Sequence, residues 1–69
     1  MMTLAQASAA YPVGAILRYG VSHWARVLSH EVGGDGMVDV IVEDEYGARR
    51  KWWVDQLAAS GVTVGNVQR

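Results

Sequence analysis

The chain has 69 residues, of which 51% are apolar, with six basic side chains, seven acidic ones and no cysteine. This length fits one small domain, and the lack of cysteine excludes disulfides, thiolate metal sites and a cysteine nucleophile. The net charge of −1 gives no general attraction to nucleic acid or to an anionic membrane.

Segment 1–12 predicts a short N-terminal arm. Residues 3–10 are small and favour a helix, but the run is too short for a helix that is stable by itself. Pro12 ends the segment, because the residue before a proline is driven away from helical backbone angles. We expect a helical or flexible arm over 1–12 and a single domain over 13–69.

From residue 13 onward, the sequence changes to short β-branched and aromatic runs between glycines. Four strands are predicted, over residues 15–19, 24–32, 38–44 and 50–54. Glycines in segment 33–36 supply the positive φ that a tight turn needs. A helical turn over 56–61 and a short fifth strand over 62–64 follow, so the predicted fold class is all-β.

The third and fourth strands predict a hairpin whose register follows from its loop. A three-residue loop over 45–47, with Gly47 in the left-handed region, pairs Asp44 with Ala48. One face of the hairpin is then almost wholly apolar: Val38, Val40, Val42, Trp52 and Val54. A two-residue loop would mix polar and apolar residues on both faces, so the three-residue loop is favoured.

The succession of four strands, a helical turn and a fifth strand resembles an SH3-like small barrel, and we expect a five-stranded barrel of this kind. Segments 13–19, 24–27 and 44–47 are similar to parts of Tudor-type domains, although Glu45 is an extra residue in the third of them. The layout also resembles type II dihydrofolate reductase, a tetramer around a central pore. Segment 50–53 does not match the pore segment of that enzyme.

The Tudor-type resemblance implies an aromatic cage built from Tyr19, Trp24 and Tyr46. Such a cage would hold a methylated lysine or arginine by cation–π attraction, with Glu45 as the countercharge. The alternative is that Tyr19 and Trp24 belong to the core, and that Tyr46 only covers the hairpin turn.

Trp52 and Trp53 point to opposite faces of a strand, so one core cannot bury both indoles. The favoured register places Trp53 outside, where an exposed indole favours a partner interface. The alternative is that Trp53 only lies over the stems of neighbouring charged side chains. The high apolar content of so small a domain favours a protein partner or assembly into a homo-oligomer.

A second interpretation is a nucleic-acid-binding face, formed with the outward tryptophan by Arg18, Arg26, Arg49, Arg50 and Lys51. The acidic residues 43–45 lie across the hairpin from this basic run. They largely cancel its field, so nucleic-acid binding is the alternative rather than the main interpretation.

The sequence contains no recognisable constellation for catalysis or for a cofactor. His23 and His30 are too few for a metal site, and each lies beside a serine whose side chain points the other way. No segment approaches the roughly 18 apolar residues of a membrane span, and residues 1–5 lack the basic start of a signal peptide. We expect a non-enzymatic cytoplasmic binding module without metal, cofactor or membrane contact, and a small enzyme at an oligomer pore is the least favoured alternative.

Overall fold

A computed structural model describes residues 1–67, so the last two residues of the predicted domain lie outside the described part. The elements in chain order are α1 (Leu4–Ala10), β1 (Ala15–Tyr19), β2 (His23–Val32), β3 (Val38–Asp44), β4 (Arg49–Trp53), α2 (Val54–Ala59) and β5 (Thr63–Val67). The strands form one antiparallel sheet in the order β4-β3-β2-β1-β5. The predicted five strands, N-terminal helix and helical segment before the last strand are confirmed.

The sheet is not closed into a barrel, and in this respect the predicted SH3-like barrel is wrong. Strands β4 and β5 are the two edges of the described sheet and do not pair with each other. The sheet nevertheless curls strongly. The rings of Tyr19 on β1 and Trp52 on β4 lie only 5.2 Å apart, although β2 and β3 lie between these two strands. Helix α2 connects the two edge strands and overlaps the helical turn predicted over 56–61.

The inner face of the curled sheet carries the core. Its fully buried larger side chains are Leu17, Val27, Val40, Val42 and Val54. The helices complete this core with Ala7 from α1 and Leu57 from α2. Burial of each Val or Leu side chain contributes about 1.5–3 kcal/mol to the stability of the fold.

The predicted register of the β3–β4 hairpin is confirmed. Glu43 pairs with Arg49, and the Asp44 amide donates to the Ala48 carbonyl over 2.9 Å. Gly47 has a φ of +81°, the left-handed conformation that the three-residue loop requires. Trp52 therefore packs against the core, whereas Trp53 remains 40% exposed.

Strand β2 contains a bulge that the sequence pattern did not predict. Val27 pairs with Val42 but Ser29 pairs with Ile41, so Leu28 is an extra residue on β2. The bulge reverses the alternation, and His30 therefore shares the inner face with Val27. Its Nε2–H donates to the Tyr11 carbonyl over 2.6 Å and ties the end of α1 to the sheet.

Helix α1 is fixed at its start by a capping box. The Thr3 hydroxyl accepts from the Gln6 amide, and the Gln6 side chain accepts from the Thr3 amide, at 3.1 and 2.9 Å. These two bonds satisfy amides that an isolated helix start leaves without partners. The Met2 amide also donates to Asp55 over 3.1 Å, which links the N-terminal segment to α2.

Several element boundaries differ from the prediction by one to three residues. β4 begins at Arg49 and α2 begins at Val54, so Val54 is helical rather than the end of a strand. Val54 and Leu57 are both buried, at the three-residue spacing that places two side chains on one helix face. β5 begins at Thr63 and extends to Val67, beyond the predicted end.

Replacement of Gly47 tests the loop conformation. We expect Gly47→Val to lower the free energy of unfolding by more than about 1 kcal/mol, because a β-branched residue resists positive φ. No heavy atom lies within 4 Å of a Cβ at this position, so the loss would be conformational rather than steric. Urea unfolding checks this, with Gly47→Asn as a milder control; an unchanged midpoint for Gly47→Val would contradict the left-handed loop.

Candidate binding surface

Asp44 organises one end of the inner face. It is 3% exposed and is the one buried charged residue among residues 1–67. Its Oδ1 accepts from the amides of Tyr46 and Ala48, both at 2.9 Å, and its Oδ2 accepts from Arg50 Nε at 2.8 Å. The Arg50 hydrogen bond, followed by the Ala48 amide, lowers the pKa of Asp44 although burial opposes this shift.

The ion pair with Asp44 separates Arg50 from the other predicted nucleic-acid-binding residues. Arg50 pairs with Val42 and so belongs to the inner face. The strand registers place the remaining four basic residues on the outer face: Arg18, Arg26, Arg49 and Lys51. The predicted basic stripe therefore exists on one face without Arg50.

Tyr19 lies at the centre of an aromatic cluster. Its ring meets that of Trp52 edge to face at 5.2 Å and stacks on the His23 ring at 5.5 Å. His23 Nδ1 in turn donates to the Glu45 carboxylate over 2.9 Å. Burial, and then the negative charges of Glu45 and Asp44, raise the pKa of the Tyr19 hydroxyl, whereas the charge of Arg50 opposes this shift.

The acidic depression, a hollow of about 300 Å³, lies on one side of the Tyr19–Trp52 pair. It is lined by Tyr19, His23, Asp44, Glu45, Tyr46, Arg50 and Trp52. Two residues of the predicted aromatic cage, Tyr19 and Tyr46, thus come together beside Glu45. The third, Trp24, pairs with Arg18 on the outer face, and Trp52 is the further aromatic residue in the depression.

The aromatic groove, of about 250 Å³, lies on the other side of the Tyr19–Trp52 pair. It is lined by Tyr19, Trp52, Trp53, Gln56, Leu57, Ser60 and Val62, none of which is charged. Tyr19 and Trp53, two predicted partner-binding residues, meet here. The groove lies between the β4–α2 corner and the segment before β5, where the curled sheet remains open.

Both helices of residues 1–67 pack on the inner face, and the outer face carries the basic stripe beside Trp24, which is 43% exposed. Arg26 is paired with Glu43 at 3.2 Å, and Lys51 with Glu31 at 3.3 Å. A wide hollow of about 620 Å³ lies at the β1–β2 turn, and Arg18 and Trp24 help to line it. The register also places Trp53 on this face, opposite Asp39. The face therefore combines two exposed indoles with cations and acids, and its net field is weak because the acids offset the cations.

Several residues of this surface were not predicted as site residues. Trp52 and Leu57 were assigned to the core or to a helical turn, yet both line the aromatic groove. Asp44 was assigned to a solvated acidic run, yet its carboxylate is buried. The sequence signal for the buried Asp44 is its position three residues before the loop glycine Gly47. An aspartate at this position can accept hydrogen bonds from the loop amides.

Comparisons with protein-family models, with curated proteins and with solved structures find no match to this chain. Within residues 1–67, no three His, Asp or Glu side chains converge as ligands of a metal ion would. None of the helices in this part of the chain has the length and apolarity to cross a membrane.

Replacement of Asp44 tests its place in the turn. Its pKa is lowered in the folded state, so its charge stabilises the fold above the unfolded pKa of about 3.9, and this contribution is lost as the pH falls through the folded pKa. We expect Asp44→Asn to melt at a lower temperature than the parent at pH 7, with a shallower decline below pH ~4. Melts from pH 7 to 2.5 check this; parallel pH profiles for the two proteins would contradict it.

Proposed function

We propose that this domain is a non-enzymatic binding module that acts through protein–protein contacts, with the aromatic groove as its partner surface. The observation that carries the proposal is an uncharged groove lined by two tryptophans and a tyrosine on a domain of only 69 residues. Trp and Tyr are the residues that contribute most to protein interfaces, because a large rigid area is buried at little entropic cost.

The chain layout supports an SH3-like relationship as a finer part of this proposal. Four strands, a helical segment and a fifth strand follow one another as in that architecture. The Tudor-type form of the proposal places a basic, methylated side chain of the partner in the acidic depression. Tyr19, Tyr46 and Glu45 support this form, because they line that depression together.

Self-association is the second part of the proposal. Trp24, Tyr46 and Trp53 are 43%, 80% and 40% exposed, and they lie on different parts of the surface. The apolar content of 51% is high for so small a domain, whose limited interior leaves apolar surface exposed, and this favours contact with another copy. Sedimentation velocity of the isolated chain over a range of concentrations distinguishes a monomer from a homo-oligomer.

A displayed library of random peptides tests the protein-binding proposal. We expect enriched peptides that bind the parent and bind Trp53→Ala at least tenfold more weakly, while that variant loses less than about 1 kcal/mol of stability. Trp52→Ala should instead lose about 2–4 kcal/mol, because Trp52 packs on the core and on Tyr19. Peptides enriched in methylated or basic residues would support the Tudor-type form.

The library experiment includes two controls. Trp24→Ala removes an equally exposed indole from the outer face and should leave peptide binding unchanged. Equal stability losses in the Trp52 and Trp53 variants would mean that both indoles belong to one core. No enrichment above background, or binding that Trp53→Ala does not alter, would refute the proposal.

Nucleic-acid binding is a second candidate function, favoured by one observation. Arg18, Arg26 and Arg49 share the outer face with Trp24, so cations and a stacking surface lie together. A fluorescent single-stranded oligonucleotide, titrated at several salt concentrations, checks this. If this function is correct, Arg18→Ala and Arg49→Ala should each reduce the slope of log affinity against log salt by about 1; salt-independent or absent binding would exclude it.

A further inference from the structure

Strand β4 has an open edge beside the aromatic groove. It pairs with β3 on one side and with no strand of the described chain on the other. Asp44 and Ala48 form the hydrogen-bonded pair that closes the hairpin loop. Because such pairs alternate in antiparallel strands, the backbone groups of Arg50 and Trp52 bond to β3, and those of Arg49 and Lys51 point to the open edge.

The charges of this edge restrict what can pair with it. Residues 49–51 are three consecutive cations, and all three are exposed. A second copy of β4 would bring like charges opposite one another, which is destabilising. Arg49 makes no ion pair with any residue among 1–67, because Glu43, which lies opposite it in the register, is bonded to Arg26. An acidic strand supplies the missing negative charge.

We propose that an extended acidic segment of a partner protein adds to β4 as a sixth strand and places one large apolar side chain in the aromatic groove. The proposal rests on the proposed protein-binding function and names the chemistry of the partner. Alternation gives the pattern: the partner residue opposite Trp52 points to the inner face and enters the groove. The partner residues opposite Lys51 and Arg49 point to the outer face, where carboxylates are favoured.

Amide exchange in the ¹⁵N-labelled chain tests strand addition directly. The probe is a blocked seven-residue peptide with one leucine flanked by glutamates. At saturation, we expect exchange of the Arg49 and Lys51 amides to slow at least tenfold, because these amides gain strand partners. The Arg50 and Trp52 amides serve as internal controls, since they are already bonded to β3 and should change little.

Variants of the chain and of the peptide test the charge and the backbone contributions separately. The variants Arg49→Glu and Lys51→Glu should each weaken peptide binding, and together at least tenfold, whereas Arg18→Glu, the same single charge reversal on β1, should alter affinity less than twofold. A lysine-for-glutamate peptide should not bind. Two peptides that are N-methylated on alternate sets of backbone nitrogens should differ in affinity, because only one of these sets donates hydrogen bonds to β4.

The outcomes separate this inference from the proposed function. Strand addition would be overturned if library peptides bind in a Trp53-dependent way, carry no acidic residues and leave the amide exchange of Arg49 and Lys51 unchanged. The proposed binding module would remain intact in that case. If those two amides already exchange slowly in the free chain and sedimentation shows a dimer, the strand that pairs with β4 is a second copy of this chain. This result would overturn the acidic partner segment. Equal binding of the acidic and lysine peptides would also overturn the inference.

Discussion

The hydrogen bonds that the buried carboxylate of Asp44 accepts are the interactions on which the β3–β4 hairpin and its packing depend. By accepting from the amides of Tyr46 and Ala48, it closes the loop that fixes the register of β3 against β4. A slip of one residue would bring Lys51 to the inner face in place of Trp52. The same carboxylate bonds to Arg50, which is exposed, so one side chain both fixes the hairpin loop and neutralises the β4 cation that lies on the inner face.

The hairpin could be predicted from the sequence because its determinants are local. A loop glycine, a β-branched third strand and the period-two alternation of side chains all favour the same register. Trp52 and Trp53 follow from that register, one toward the core and one toward solvent. The bounds of β1 and β3 could also be read from flanking glycines and from strand-forming residues.

The rest depends on contacts between segments far apart in the chain. The bulge at Leu28 arises from how β2 meets β3, and no turn residue marks it. Whether β4 meets β5 depends on the curl of the whole sheet and on α2, so an open sheet could not be told from a closed barrel. For the same reason, the resemblance grouped Trp24 with Tyr19, whereas the fold brings Trp52 to that ring.

An open sheet with two unlike edges has a consequence for solubility. β4 carries three cations, whereas Thr63–Val67 carries no charged residue, so the β4 of one molecule and the β5 of another present no like charges to each other. Such a contact is not self-complementary, and its repetition generates a filament rather than a closed ring unless the rotation happens to close. A ligand seated on β4 would therefore also act as a chain terminator, because it removes one of the two ends through which such a polymer grows.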